Sequence, residues 1–176
     1  MSDDDQNVQK VDNSKLRMSA AAKARMRARE DPKYHYYDDG GRPGRGNCTW
    51  GIGTLAHRGA CTDEELKREV GPAEVEAAFA ERVADAERTV RRKVPNQALS
   101  QIQFDALVSF VYNAGWKGSE NVLSLVDDGD FKEAAAAISR TIYMTVKTRR
   151  GSKKVVARGL IGRRAEESAP FRTPER

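Results

Sequence analysis

Four side chains within the first fifty residues have the types and spacing to do chemistry: Glu30, Asp38, Asp39 and Thr49. Glu30 falls where a helical run meets Pro32, while Asp38 and Asp39 follow a tyrosine pair and open a glycine-rich stretch. A carboxyl at a helix end facing a carboxylate in a turn suits acid/base hydrolysis of a glycosidic bond. One group must be protonated to donate to the leaving oxygen, and the other ionised to activate water or steady an oxocarbenium-like centre. Burial raises the pKa of the first, and hydrogen bonds keep the second ionised. A threonine hydroxyl both donates and accepts, so Thr49 could aim the water. Each residue alone has a plainer reading. Glu30 would be a solvated helix residue, Asp39 a turn former, and Thr49 a β-branched residue suited to a strand.

The elements that must position these groups can be read from the pattern. Ser14 or Ser19 could cap a first helix running to Arg29 or Glu30, because Pro32 disfavours helix at Asp31. The Tyr- and Gly-dense stretch from about Tyr36 to His57 reads as a small hairpin sheet. Thr62-Asp63-Glu64-Glu65 has the form of a capping box. Val75, Phe79, Val83, Ala86, Val90 and Val94 form one apolar stripe on a long amphipathic helix ending before Pro95. Gln97 to Ala114 is apolar nearly all round and predicts a buried central helix stopped by Gly115. Shorter helices are expected around Asn121–Asp127, Asp130–Ile142 and Leu160–Ser168. Lys147–Val156 reads as a loop or frayed hairpin, and the Pro170/Pro174 tail as loose. The fold class is therefore α+β and mainly helical, with a small hairpin lobe against a larger helical lobe and a cleft between. Residues 1–14 read as a disordered polar tail, 15–171 as one domain, and 172–176 as a loose end.

Composition limits the alternatives. The chain has 176 residues, 39% hydrophobic and 32% charged, which describes a globular domain and not a disordered chain. No apolar run approaches a bilayer span. The acidic start Met1-Ser2-Asp3-Asp4-Asp5 is unlike a signal peptide, so synthesis in the cytoplasm is expected. The formal charge of +5 is uneven: Arg140 to Arg164 holds nine Lys/Arg and no acid, while Thr62 to Glu87 holds nine Asp/Glu against three Lys/Arg. A basic face attracts polyanions, though a solubilising surface is the plainer reading. Cys48 and Cys61 could be two unpaired buried thiols, or one disulfide formed in an oxidising compartment. With His35 and His57 they complete no zinc spacing, so no metal is expected.

The order of residues adds a resemblance. Glu30, Tyr37-Asp38-Asp39, Thr49-Trp50-Gly51-Ile52-Gly53 and His57 resemble the N-terminal signature of the bacteriophage-type lysozymes, the endolysins or muramidases of glycoside hydrolase family 24. Gln103-Phe104-Asp105-Ala106-Leu107-Val108-Ser109-Phe110, continuing to Gly115, and Gly159-Leu160-Ile161-Gly162-Arg163-Arg164-Ala165-Glu166 resemble two further blocks of that family. The blocks run in family order over roughly residues 20 to 171. The resemblance implies hydrolysis of the β-1,4 bond between N-acetylmuramic acid and N-acetylglucosamine, with inversion and no cofactor. Glu30 would be the general acid, Asp39 the carboxylate assisting water, and Thr49 the residue holding it. Two departures stand out. Asp31-Pro32 follows Glu30 where the family has Gly, and several extra residues, Gly44 and Gly46 among them, separate Asp39 from Thr49. Asp38 also fits the Tyr-x-Asp pattern with a one-residue shift.

Other residues carry lesser expectations. His57 would make a structural hydrogen bond or touch the cleft, and Asn113 would support the site or cap its helix. Tyr37 and Trp50 would stack on sugars or pack beneath the hairpin, while Arg163 and Arg164 would brace the lobes or extend the basic face. Under the resemblance the partner is bacterial peptidoglycan, with anionic wall or outer-membrane polymers drawn to the basic face. No nucleic acid, no stable membrane insertion and a monomer are expected. The enzyme would act on the wall from the periplasm, as a phage endolysin or an antibacterial effector. The rivals are a basic nucleic-acid-binding protein, a non-catalytic wall-binding protein, and a lytic transglycosylase working with one carboxyl.

Overall fold

The computed structural model describes residues 12–172, which form six α-helices and five short strands. In chain order these are α1 (Ala20–Ala28), β1 (Lys33–Asp38), β2 (Cys48–Gly51), β3 (Thr54–His57), α2 (Asp63–Leu66), α3 (Pro72–Lys93), α4 (Gln101–Asp127), α5 (Phe131–Arg140), β4 (Tyr143–Thr148), β5 (Gly151–Val156) and α6 (Arg158–Arg172). The class is α+β with helix predominant, as the pattern implies. The chain separates into two compact units, one of residues 20–85 and one of residues 12–19 with 86–172.

The first unit holds the three-stranded antiparallel sheet, ordered β1-β2-β3. Tyr37 pairs with Thr49 and Asp38 with Cys48. The turn from β2 to β3 needs positive φ at Gly51 and Gly53, 61° and 65°, which explains the Gly-x-Gly spacing. A side chain at Gly51 would also press on Val75 of α3, with its Cβ 3.4 Å from both methyl carbons. The capping box at Thr62 forms in full: its side chain takes the Glu65 amide and Glu65 returns to the Thr62 amide. The apolar stripe is buried as its spacing predicts, with Val75 of α3 fully covered in this unit, and Val90 of α3 and Val94 just past its end fully covered in the other.

In the second unit α4 carries the core, with Phe104, Leu107, Val108 and Phe110 fully buried. Its N-terminus is at Gln101, not Gln97, because Ser100 caps it in a second capping box with Gln103. Gly115 does break the helix, with φ 73° and ψ 169°, yet the chain resumes helix at once. The expected separate helix around Asn121 is therefore the second half of α4. Lys147–Val156 belongs to a regular hairpin in which β4 pairs with β5 from Tyr143↔Val156 to Thr148↔Gly151. The helix α6 passes through Pro170 and ends at Arg172, so the Pro170 segment is ordered where a loose tail was expected. Phe171 is buried there and packs 6.0 Å from Phe131, ring to ring. Pro174 and most of the expected N-terminal tail lie outside the described residues. Asn13, at the end of that tail segment, is buried and donates to the carbonyls of Val94 and Gln97.

Candidate active site

Glu30, Asp39 and Thr49 all belong to the unit of residues 20–85. Glu30 follows the closing turn of α1, where the amides of Arg29 and Glu30 reach back to the carbonyls of Met26 and Arg27 at 3.2 and 3.1 Å. Arg27 grips Glu76 of α3 at 2.6 Å, anchoring the last turn before the glutamate. Glu30 itself is half-buried.

Asp39 stands just beyond β1 and is clasped by Asn47, just before β2. The Asp39 amide donates to the Asn47 carbonyl at 3.0 Å, and the Asn47 amide donates to Asp39 Oδ1 at 2.7 Å. The hydroxyl of Thr49 donates to Asp39 Oδ2 at 3.2 Å, with the Asn47 carbonyl an alternative acceptor at 3.3 Å. Thr49 is buried and Asp39 is exposed.

This clasp accounts for the extra residues between Asp39 and Thr49. Residues 40–46 fold back on themselves, with Gly40 donating to the Arg45 carbonyl and positive φ at Gly41, Gly44 and Gly46. The insertion is closed at its neck, so its length does not separate the carboxylate from the threonine.

Asp38 has a different set of partners. Its Oδ2 accepts the Gly44 amide and its Oδ1 the Cys61 amide, each at 2.7 Å. Both oxygens are spent on backbone, tying the insertion to the segment after β3. The hydrogen bonds thus divide the two aspartates into a brace and a group that faces a hydroxyl.

Tyr37 lies half-buried within electrostatic reach of both carboxylates. Burial holds its phenol above the usual range, the Asp39 charge adds to this, and Glu30 adds a smaller push; Lys33 and Arg82 oppose it. Trp50 is half-buried and packs 6.3 Å from the Tyr36 ring, while Arg68 covers that ring at 5.3 Å.

Cys48 and Cys61 form a disulfide across a Cα separation of 4.6 Å. The bond ties β2 beside Thr49 to the loop ahead of α2. Glu65 lies next to the two sulfurs, but sulfurs joined to each other are not thiolate ligands, and the trio does not define a metal centre. His57 makes the structural contact expected of it: one ring nitrogen meets Glu65 and the other the Arg58 carbonyl, each at 3.0 Å. Those acceptors raise the His57 pKa, the Arg58 carbonyl foremost. Asn113 neither caps its helix nor stands alone; its Oδ1 accepts from Arg164 at 2.6 Å. Sequence reasoning missed Asn47, whose side chain also takes the Gly59 amide at 3.1 Å. The Gly46-Asn47 turn pair ahead of a strand was the available signal.

Comparison with known proteins places the chain. The phage lysozyme family model matches residues 28–167, and the chain belongs to that family. Among solved structures it is similar to the muramidase domain of SpmX from Asticaccaulis excentricus, at 27% identity and a TM-score of 0.65, covering 90% of this chain and 99% of that one. It is also similar in fold to an endolysin from Escherichia coli O157:H7 phage FAHEc1, at 23% identity and a TM-score of 0.69, covering 91% and 95% of the two chains. A mutant P22 lysozyme shares the fold at 20% identity and a TM-score of 0.59, covering 90% and 99%. No curated protein sequence matches. Among the described residues no helix is long and apolar enough to cross a membrane.

Proposed function

We propose that this lysozyme hydrolyses peptidoglycan at the β-1,4 bond between N-acetylmuramic acid and N-acetylglucosamine, with Glu30 as general acid and Asp39 and Thr49 handling the water. The single observation that carries the assignment is the contact between the Thr49 hydroxyl and Asp39 Oδ2, at 3.2 Å. It supplies a carboxyl oxygen beside a hydroxyl that can orient a water molecule. Glu30 donates its proton to the departing glycosidic oxygen. Asp39 takes a proton from water as the water oxygen bonds to the anomeric carbon, leaving a free reducing end. All three groups come from one chain, so a monomer suffices. The Cys48–Cys61 bond accords with action in an oxidising compartment such as the periplasm. Arg163 and Arg164 of the basic run are buried, but its exposed cations Lys147, Arg149, Arg150, Lys153 and Lys154 would draw the enzyme toward anionic surfaces of the wall or outer membrane.

The test is digestion of purified peptidoglycan by the wild type and by Glu30→Gln, with mass spectrometry of the released fragments. Disaccharides ending in free reducing N-acetylmuramic acid, absent in the variant, are the expected result. Anhydro-sugar ends would make the protein a transglycosylase, and no release by the wild type would reduce it to a binding protein.

A further inference from the structure

The β4–β5 hairpin is exposed along its whole length, apart from partial cover at Val155. Such a hairpin would ordinarily keep its large apolar residues on a packed face. Here Tyr143 and Met144 are 56% and 51% exposed, and Val146 and Val156 are 38% and 44% exposed. The same fourteen-residue arm (143–156) carries Lys147, Arg149, Arg150, Lys153 and Lys154 and no acidic residue. Among the described residues none of these five cations makes an ion pair. The register places Met144 and Val146 on one face with their partners Val155 and Lys153, and Tyr143 with Val156 on the other.

We propose that this hairpin docks the protein on an anionic lipid surface, lying along it with the Met144–Val146–Val155 face down, and with Lys153 of that face and the turn residues Arg149 and Arg150 on the headgroups. Charge decides against arm-to-arm pairing of two copies, since that would bring like charges together. The apolar side chains separate lipid from a polyanionic polymer. A polymer needs only the cations, whereas an interfacial element uses cations for attraction and apolar side chains for depth. Lysine stems can lie along the apolar layer while their heads remain among phosphates. The hairpin ladder also satisfies the inward-facing backbone groups before the arm reaches the interface.

The experiment measures sedimentation of the full chain with vesicles of equal parts phosphatidylglycerol and phosphatidylcholine, and with vesicles of phosphatidylcholine alone. The vesicles contain no glycan, so the result is independent of the hydrolytic assignment, and Glu30→Gln should bind like the wild type. Binding to the anionic vesicles should exceed that to the neutral ones by at least about tenfold. Arg150→Glu/Lys153→Glu and Met144→Ser/Val146→Ser, folded as judged by circular dichroism, should each weaken it by about tenfold or more. Loss with the charge pair but full binding by the apolar pair would overturn the lipid assignment in favour of a polyanionic polymer. A wild type that stays in the supernatant, or variants that bind as it does, would overturn the docking role altogether.

Discussion

The Thr49 hydroxyl lies 3.2 Å from Asp39 Oδ2, while the neighbouring Asp38 gives both its oxygens to backbone amides. Two adjacent aspartates therefore have separable roles, and their amide variants should differ in kind. Asp39→Asn should lower kcat on peptidoglycan by about 10²- to 10⁴-fold with little change in stability. Asp38→Asn presents an amide donor to the Gly44 or Cys61 amide, and should cost about 1–3 kcal/mol of stability with kcat nearly unchanged. Thr49→Val, which keeps the branched shape and removes the hydroxyl, should resemble Asp39→Asn in direction. Steady-state kinetics beside urea denaturation would decide. An inactive but stable Asp38→Asn would exchange the two roles.

Gly46 guards the same carboxylate. Its φ is +89°, and a Cβ there would lie 2.2 Å from Asp39 Oδ1 and 2.3 Å from the Gly40 amide. Gly46→Ala should therefore lose kcat as Asp39 is displaced, besides about 1–3 kcal/mol of backbone strain. Gly44→Ala is the control, for it has a similar φ of +76° but nothing within 4 Å of its Cβ. That variant should show strain alone. Equal kcat in the two alanine variants would mean that Asp39 has no need of this clearance.

Much of this arrangement was legible in the residues, but not evenly. The stripe of α3 and the capping box at Thr62 declare themselves because their causes are local: spacing and one side-chain hydrogen bond. The different hydrogen bonding of Asp38 and Asp39 was not legible, because their partners, Gly44, Cys61 and Asn47, are recruited by the folded turn. The β4–β5 hairpin escaped the alternation rule since residues on both of its faces are exposed, so no polar face marks the strands. Pro170 looked like a stop because propensity disfavours it, yet burial of Phe171 beyond it holds the last turn.

The His57–Glu65 contact should make stability depend on pH. The His57 pKa is raised from its ordinary 6.5, first by the Arg58 carbonyl and then by Glu65. Its contribution is complete below about 6.5 and is lost as pH rises through the folded value. The Glu65 pKa is lowered from 4.5, first by the Thr62 amide and then by His57, so its contribution is lost as pH falls through its folded value. The pair thus stabilises most between those two ordinary values. Thermal melts of the wild type and His57→Gln across pH should differ most in that window and converge above neutrality. A constant difference would assign the effect of His57 to packing.

Glu167 carries the largest predicted stability effect. Buried in α6, it accepts from Ser109 at 2.6 Å, from Arg163 at 3.0 Å and from Arg164 at 2.6 Å. Arg164 is buried too, stacked 4.9 Å from the Phe110 ring and bonded to the Thr141 carbonyl at the entrance to the β4–β5 arm. The charge of Glu167 is what makes two guanidinium groups tolerable in this interior. Glu167→Gln should cost about 3–5 kcal/mol, because the arginines then lack a counter-charge. If the penalty is uncompensated charge, adding Arg163→Met should recover part of it, and urea denaturation of the single and double variants measures the coupling. Additive losses would mean instead that Arg163 stabilises the core through its other contacts, such as its bond to the Ser109 carbonyl at 3.2 Å.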